Sequence, residues 1–172
     1  MKNVLVVVDM QNDFIDQALG TKEAVQIVPA VAAEIMNPDY DAVIATLDTH
    51  GENYMETNEG RHLPVVHCVR GTEGWQLNPQ IRAALEKRGA EYIEKPTFGS
   101  EVLVARMKAE QPDTVTFVGL CTDICVVSNA LAVKMALYEK DVAVIKAATA
   151  GVTPEAKAAA LATMRSCQIE VR

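Results

Sequence analysis

The chain has 172 residues, of which 49% are hydrophobic and 23% charged, and its formal net charge at pH 7 is −7. That length suits one domain with a sizeable core, and the acidic balance disfavours nucleic acid or an anionic membrane as a partner. The opening run Val4-Leu5-Val6-Val7-Val8 is too short for a membrane span or a signal-peptide core, so a cytoplasmic protein is expected, with Cys68, Cys121, Cys125 and Cys167 mostly as free thiols.

In chain order the pattern predicts a strand at 3–8, a helix at 22–36 and a strand at 42–47. A polar irregular stretch covers 48–64, a length often used for function. A strand at 65–69, a helix at 79–88, a strand at 90–94 and a helix at 100–110 follow. The chain closes with a strand at 114–119, a helix at 125–138, a strand at 141–147, a helix at 154–165 and a possible short strand at 167–171. Ser100 before Glu101 reads as an N-cap, and Thr153-Pro154-Glu155 as an N-cap with proline at the first helical position. The strands are nearly all apolar rather than alternating, which requires burial on both faces. The expected fold is therefore α/β: a three-layer α-β-α sandwich around a mainly parallel sheet of about six strands, Rossmann-like in class.

In such sheets ligands bind beyond the carboxyl ends of the strands. Those ends carry Asp9, Asp48, the pair His67-Cys68, Lys95, and the pair Cys121 and Cys125. Singly, each has an ordinary structural explanation: a turn former, a solvated lysine, or a small buried cysteine. Gathered at one sheet edge they form a chemical set. A carboxylate takes the proton of a thiol, an ammonium stabilises the thiolate, and a helix N-terminus favours it further. The same carboxylate then serves the leaving amine and the attacking water. That is amide hydrolysis through a thioester. A disulfide between Cys121 and Cys125 is the weaker alternative, because four residues across a strand–helix turn do not suit the required separation.

Four segments then appear in order: Val8-Asp9-Met10-Gln11-Asn12-Asp13-Phe14; Asp48-Thr49-His50 with His67-Cys68-Val69-Arg70-Gly71-Thr72; Lys95-Pro96-Thr97-Phe98-Gly99-Ser100; and Gly119-Leu120-Cys121-Thr122-Asp123-Ile124-Cys125-Val126. Together they resemble the isochorismatase-like cysteine hydrolase superfamily, and within it the nicotinamidase-related amidases, over nearly the whole chain. The resemblance implies a single hydrolase domain over 1–172 that cleaves C–N bonds of small linear amides and releases ammonia. It implies Asp9 as base, Lys95 as cation and Cys125 as nucleophile. It further implies a cis peptide between Leu120 and Cys121, with the backbone N–H groups of Cys121 and Cys125 forming the oxyanion hole.

The resemblance also implies a divalent metal, Zn or else Mn or Fe, held by Asp48, His50, His67 and a further residue. Glu59 fits that last place best, with Glu56 and His62 as alternatives. Two histidines with two carboxylates suit these ions. Phe14, Leu63 and Phe98 are expected around the substrate, with Trp75 a weaker candidate. Nicotinamidases usually carry an aromatic residue where this chain has Leu63 before Pro64, so the acyl group need not be nicotinoyl. A homo-oligomer is a further implication. Two other readings stay open: vinyl-ether hydrolysis of the isochorismatase type, which works without a nucleophilic cysteine, and a non-catalytic binding member of the same fold.

Overall fold

The computed structural model describes residues 2–172. Its sheet contains β1 (Asn3–Val8), β2 (Ala42–Asp48), β3 (Glu91–Lys95), β4 (Thr114–Leu120), β5 (Asp141–Ala150) and β6 (Glu170–Val171). The strands lie in the order β3-β2-β1-β4-β5-β6, and every pairing is parallel. Val4 to Val8 are fully buried, which explains the uninterrupted apolar run: a central parallel strand has no solvent face.

The helices are α1 (Asn12–Ile15), α2 (Lys22–Met36), α3 (Asn58–His62), α4 (Pro79–Arg88), α5 (Glu101–Glu110), α6 (Val127–Ala136) and α7 (Pro154–Ser166). One core packs Leu5, Val7, Val43 and Ala45 against α1, α2 and α4; the other packs Val4, Val6, Ile44 and Phe117 against α5, α6 and α7. The three-layer expectation holds. Capping agrees as well: Ser100 accepts from the Leu103 N–H and Thr153 from the Ala156 N–H, each satisfying a donor the helix leaves open. No helix among the described residues is long and apolar enough to cross a membrane.

Three departures shape the site. Residues 65–69 form no strand; Val69 meets His50 in one isolated bridge, because β3 occupies the flank of β2 with Asp48 opposite Lys95. The polar stretch 48–64 is partly ordered as a 3₁₀ turn (Tyr54–Glu56) and α3, whose N-cap Thr57 accepts from the Gly60 N–H. The helix expected at 125–138 begins as a π-helical turn (Thr122–Val126) and ends at Ala136. At the far end, β6 is confined to Glu170–Val171 because α7 and its closing turn run on to Gln168.

Strand order reverses between β1 and β4. β2 and β3 are added on one side of β1, then the chain returns to lay β4 on the other. This switch point opens a crevice at the carboxyl ends of the two strands. Gly119, with φ +111°, lets them close there: a Cβ would lie 2.1 Å from the Val8 carbonyl oxygen.

Candidate active site and metal centre

Asp9 leaves β1 in the left-handed region, φ +48°, a conformation Asp tolerates better than most residues and one that concentrates at functional sites. Its side chain is fully buried. Thr46 donates to Asp9 Oδ1 at 2.7 Å, and Lys95 Nζ lies 2.6 Å from Asp9 Oδ2. From the end of β3, Lys95 also donates to the Thr97 carbonyl at 2.9 Å and to Cys125 Sγ at 3.6 Å, and stands 3.4 Å from Asp48 Oδ1. One ammonium therefore touches carboxylate, thiol and a second carboxylate.

Burial is the largest influence on each of these groups. It raises the Asp9 carboxyl above its ordinary range, against the opposing pull of the Lys95 ammonium. It also raises the Cys125 thiol well above its ordinary value; the Asp9 charge adds to this and Lys95 opposes it. The resting set is thus a neutral thiol beside a carboxylate with enhanced proton affinity. Cys125 sits inside the π-helical turn and is 5% exposed. The Cys121 thiol is pushed up to about 12, first by burial and then by the charges of Asp123 and Asp9. All four cysteines are free. The peptide between Leu120 and Cys121 is cis.

Beside the thiol, Asp48, His50, Glu59 and His67 bring one ligand-type atom each within 4.8 Å of one another. Asp48 Oδ2 lies 2.9 Å from His50 Nε2 and 3.5 Å from His67 Nε2; Glu59 Oε1 lies 3.8 and 3.6 Å from the same nitrogens. His67 Nδ1 donates to the Val65 carbonyl at 2.8 Å, which turns Nε2 toward the cluster. The Tyr54 ring stacks edge-on against both imidazoles, with centroids 4.9 Å away. Two carboxylates converge on two oriented imidazoles, a donor set that fits a divalent cation. The structure brings Glu59 to the cluster rather than Glu56 or His62: Glu56 is exposed, and His62 Nδ1 bonds the Asn58 carbonyl instead.

A cavity of about 190 Å³ covers Cys125 and reaches Asp48, Glu59 and His67. Phe14, Leu63 and Phe98 line it as expected, joined by Leu19, Ile124 and Val152. Trp75 does not: its indole N–H donates to Thr49 and its ring lies in a separate depression with Leu47 and Tyr92.

The isochorismatase domain matches residues 3–172. The chain belongs to the isochorismatase family. A nicotinamidase/pyrazinamidase of Mycobacterium tuberculosis is 31% identical over 97% of this chain and 96% of its own length. Among solved structures, a pyrazinamidase of Pyrococcus horikoshii in complex with zinc has a TM-score of 0.81 at 27% identity, covering 100% of this chain and 99% of that one. A nicotinamidase/pyrazinamidase of Bacillus subtilis has a TM-score of 0.79 at 27% identity over 99% of both chains.

In this isochorismatase-family chain the supporting residues escaped sequence reasoning. Gln11 holds Asp48 from both sides, accepting from its N–H and donating to its carbonyl, each at 2.8 Å. Asp13 accepts from the Cys68 N–H at 2.7 Å, beside a glycine, Gly74, where a Cβ would collide with that carboxylate. Asn129, fully buried on α6, accepts from the Ser100 N–H at 2.9 Å and donates to the carbonyls of Phe98 and Cys125 at 3.0 and 2.8 Å. It ties the loop after Lys95 to the Cys121–Cys125 turn. Asn129→Leu removes the side-chain partner of all three backbone groups; kcat for amide hydrolysis is expected to fall about 10²-fold, the scale of a 1 Å misplacement. Metal content of the purified variant should stay unchanged, and a normal kcat would refute the coupling.

Proposed function

We propose that this protein is a metal-containing cysteine amidohydrolase that converts a small, nicotinamide-like carboxamide and water to the acid and ammonia. The observation that carries the reading is the contact of Lys95 with both Asp9 and Cys125 beneath a small apolar cavity. The kinship with nicotinamidases and pyrazinamidases supports the substrate class.

Asp9 takes the Cys125 thiol proton as sulfur adds to the carbonyl carbon, while Lys95 offsets the charge of the pair. The carbonyl electrons move onto oxygen, held by the N–H groups of Cys121 and Cys125. The Cys121 N–H has no protein acceptor among the described residues, so it is free for this task. Asp9 returns the proton to the amine nitrogen as the C–N bond breaks, and ammonia leaves a thioester. Asp9 then accepts a proton from water as the water oxygen attacks the thioester. The C–S bond breaks, and Cys125 regains its proton from Asp9.

Asp48, His50, Glu59 and His67 would hold the divalent ion, with zinc the leading candidate. When bound it supplies a Lewis-acid point beside the thiol. Asp48 belongs to both centres, since it also contacts Lys95. Zinc at 100 times its dissociation constant should add about 2.7 kcal/mol of stability. For a chain of this size that raises Tm by roughly 5–10 °C. Chelation should reverse the gain, and Glu59→Gln should shift the zinc dependence to higher concentration. A melting curve unmoved by zinc, manganese or iron would refute the metal centre.

The reading extends to one hydrolase domain in a cytoplasmic homo-oligomer; the free cysteines suit a reducing compartment. Ammonia release from a panel of small amides by the metal-loaded enzyme tests the activity. Pyruvate release from isochorismate instead would favour vinyl-ether hydrolysis.

A further inference from the structure

The cavity over Cys125 does not end at its mouth. It shares Glu59, Leu63, Phe98 and Ile124 with an outer groove of about 800 Å³, walled further by Asn58, His62, Asp123 and Ser128. The inner cavity, about 190 Å³, is smaller than the ~300–1,000 Å³ usual for a ligand pocket. At the junction Leu63 and Phe98 remain 37% and 44% exposed, apolar surface that a ligand passing between them would cover.

We propose that the outer groove is a substrate subsite. The enzyme would take a carboxamide whose compact apolar core fills the inner cavity and whose uncharged or cationic hydrogen-bonding arm lies along the groove. The proposal rests on the amidohydrolase reading for its core and on the groove's own chemistry for its arm.

The formal charge there is one-sided. His62 Nδ1 donates to the Asn58 carbonyl at 2.9 Å, which leaves Nε2 as an acceptor. The Asp123 carboxylate is fixed at the wall because its Oδ1 accepts from the Val152 N–H at 3.0 Å. No Lys or Arg lines the groove among the described residues. With a divalent ion balancing Asp48 and Glu59, the Asp123 charge is left over, on a chain of net charge −7. An arm with N–H or ammonium donors finds acceptors there; an arm ending in a carboxylate finds repulsion and no counter-ion.

The test is calorimetric binding to zinc-loaded Cys125→Ala protein, which separates binding from turnover. The probes are nicotinamide and nicotinamides bearing an aminoethylamino or a carboxymethylamino arm, para or meta to the carboxamide. At one or both ring positions the amino arm should bind about tenfold more tightly than the carboxylate arm. Asp123→Asn keeps the acceptor for Val152 but removes the charge, and should shrink that difference to about threefold or less. His62→Ala should weaken the amino arm alone. Neither variant should change the affinity for nicotinamide itself. Equal affinity for the two arms at both positions, a preference that Asp123→Asn leaves intact, or no binding of any armed compound overturns the subsite. Binding of armed compounds with the expected preference, while the wild-type enzyme releases ammonia from none of the amides, would instead overturn the amidohydrolase reading and leave the groove standing.

Discussion

Cys125→Ala should lower kcat for carboxamide hydrolysis by about 10⁴-fold or more, the scale seen when a covalent nucleophile is removed from a set that works as a unit. Nothing nearby can replace it. Cys121 is the nearest thiol in sequence, but the Lys95 ammonium that contacts Asp9 donates to the sulfur of Cys125 and not to that of Cys121. The change removes a small buried side chain that packs with Val126 and Ala130, so the fold and the metal cluster should persist. Zinc binding by the variant should match wild type. Hydrolysis within about tenfold of wild type would mean that no thioester forms.

Asp9→Asn should cost about 10²–10⁴-fold, the usual worth of a positioned general base. It carries a pH signature. Burial raises the Asp9 carboxyl, so the acid limb of kcat/KM should lie above the ordinary carboxylate range near ~3.9, with activity falling as pH falls through the folded-state value. Stability runs the other way. A carboxyl raised on folding contributes stability that is present below its unfolded pKa and lost as pH rises through the folded one. Asp48 is the opposite case: burial works to raise its carboxyl, but hydrogen bonds from His50 and His67 and the Lys95 charge hold it below the usual range. Its contribution is present above the unfolded pKa and is lost only at still lower pH. Activity should therefore vanish on the acid side while the protein remains folded. In Asp9→Asn the thiol also loses the charge that pushes it up and keeps Lys95, so alkylation of Cys125 should be no slower than in wild type. An acid limb retained by the variant would assign the proton acceptor elsewhere.

The sheet and the primary site residues were legible because one physical rule places both. Apolar runs buried on two faces signal parallel strands, and their carboxyl ends locate Asp9, Asp48, Lys95 and the Cys121–Cys125 turn. His67 was identified for a partly mistaken reason. Val65 and Val66 look like strand, yet that segment carries His67 and Cys68 past β2 with a single bridge, because the flank of β2 belongs to β3. The π-helical turn was hidden: the spacing of Val126, Ala130 and Leu137 reads as a helix whichever way its first turn is wound. Asn129 and Asp13 were invisible for another reason. Their partners, the 98–100 loop and the Cys68 N–H, lie 29 or more residues away in sequence, so only the fold reveals why a buried amide or carboxylate stands there. Glu59 over Glu56 and His62 depends on local geometry that only the fold shows: Glu56 ends the 3₁₀ turn exposed, and His62 Nδ1 is engaged by the Asn58 carbonyl.

The most direct test of a thioester at Cys125 is rapid acid quenching of the metal-loaded enzyme during steady-state turnover of nicotinamide or another small carboxamide it hydrolyses, followed by mass spectrometry of the Cys125 peptide. The account predicts that the acyl group is carried on Cys125 while ammonia accumulates, with none on Cys68, Cys121 or Cys167. Steady ammonia release with Cys125 never acylated, under quench conditions that preserve a synthetic thioester, would contradict it.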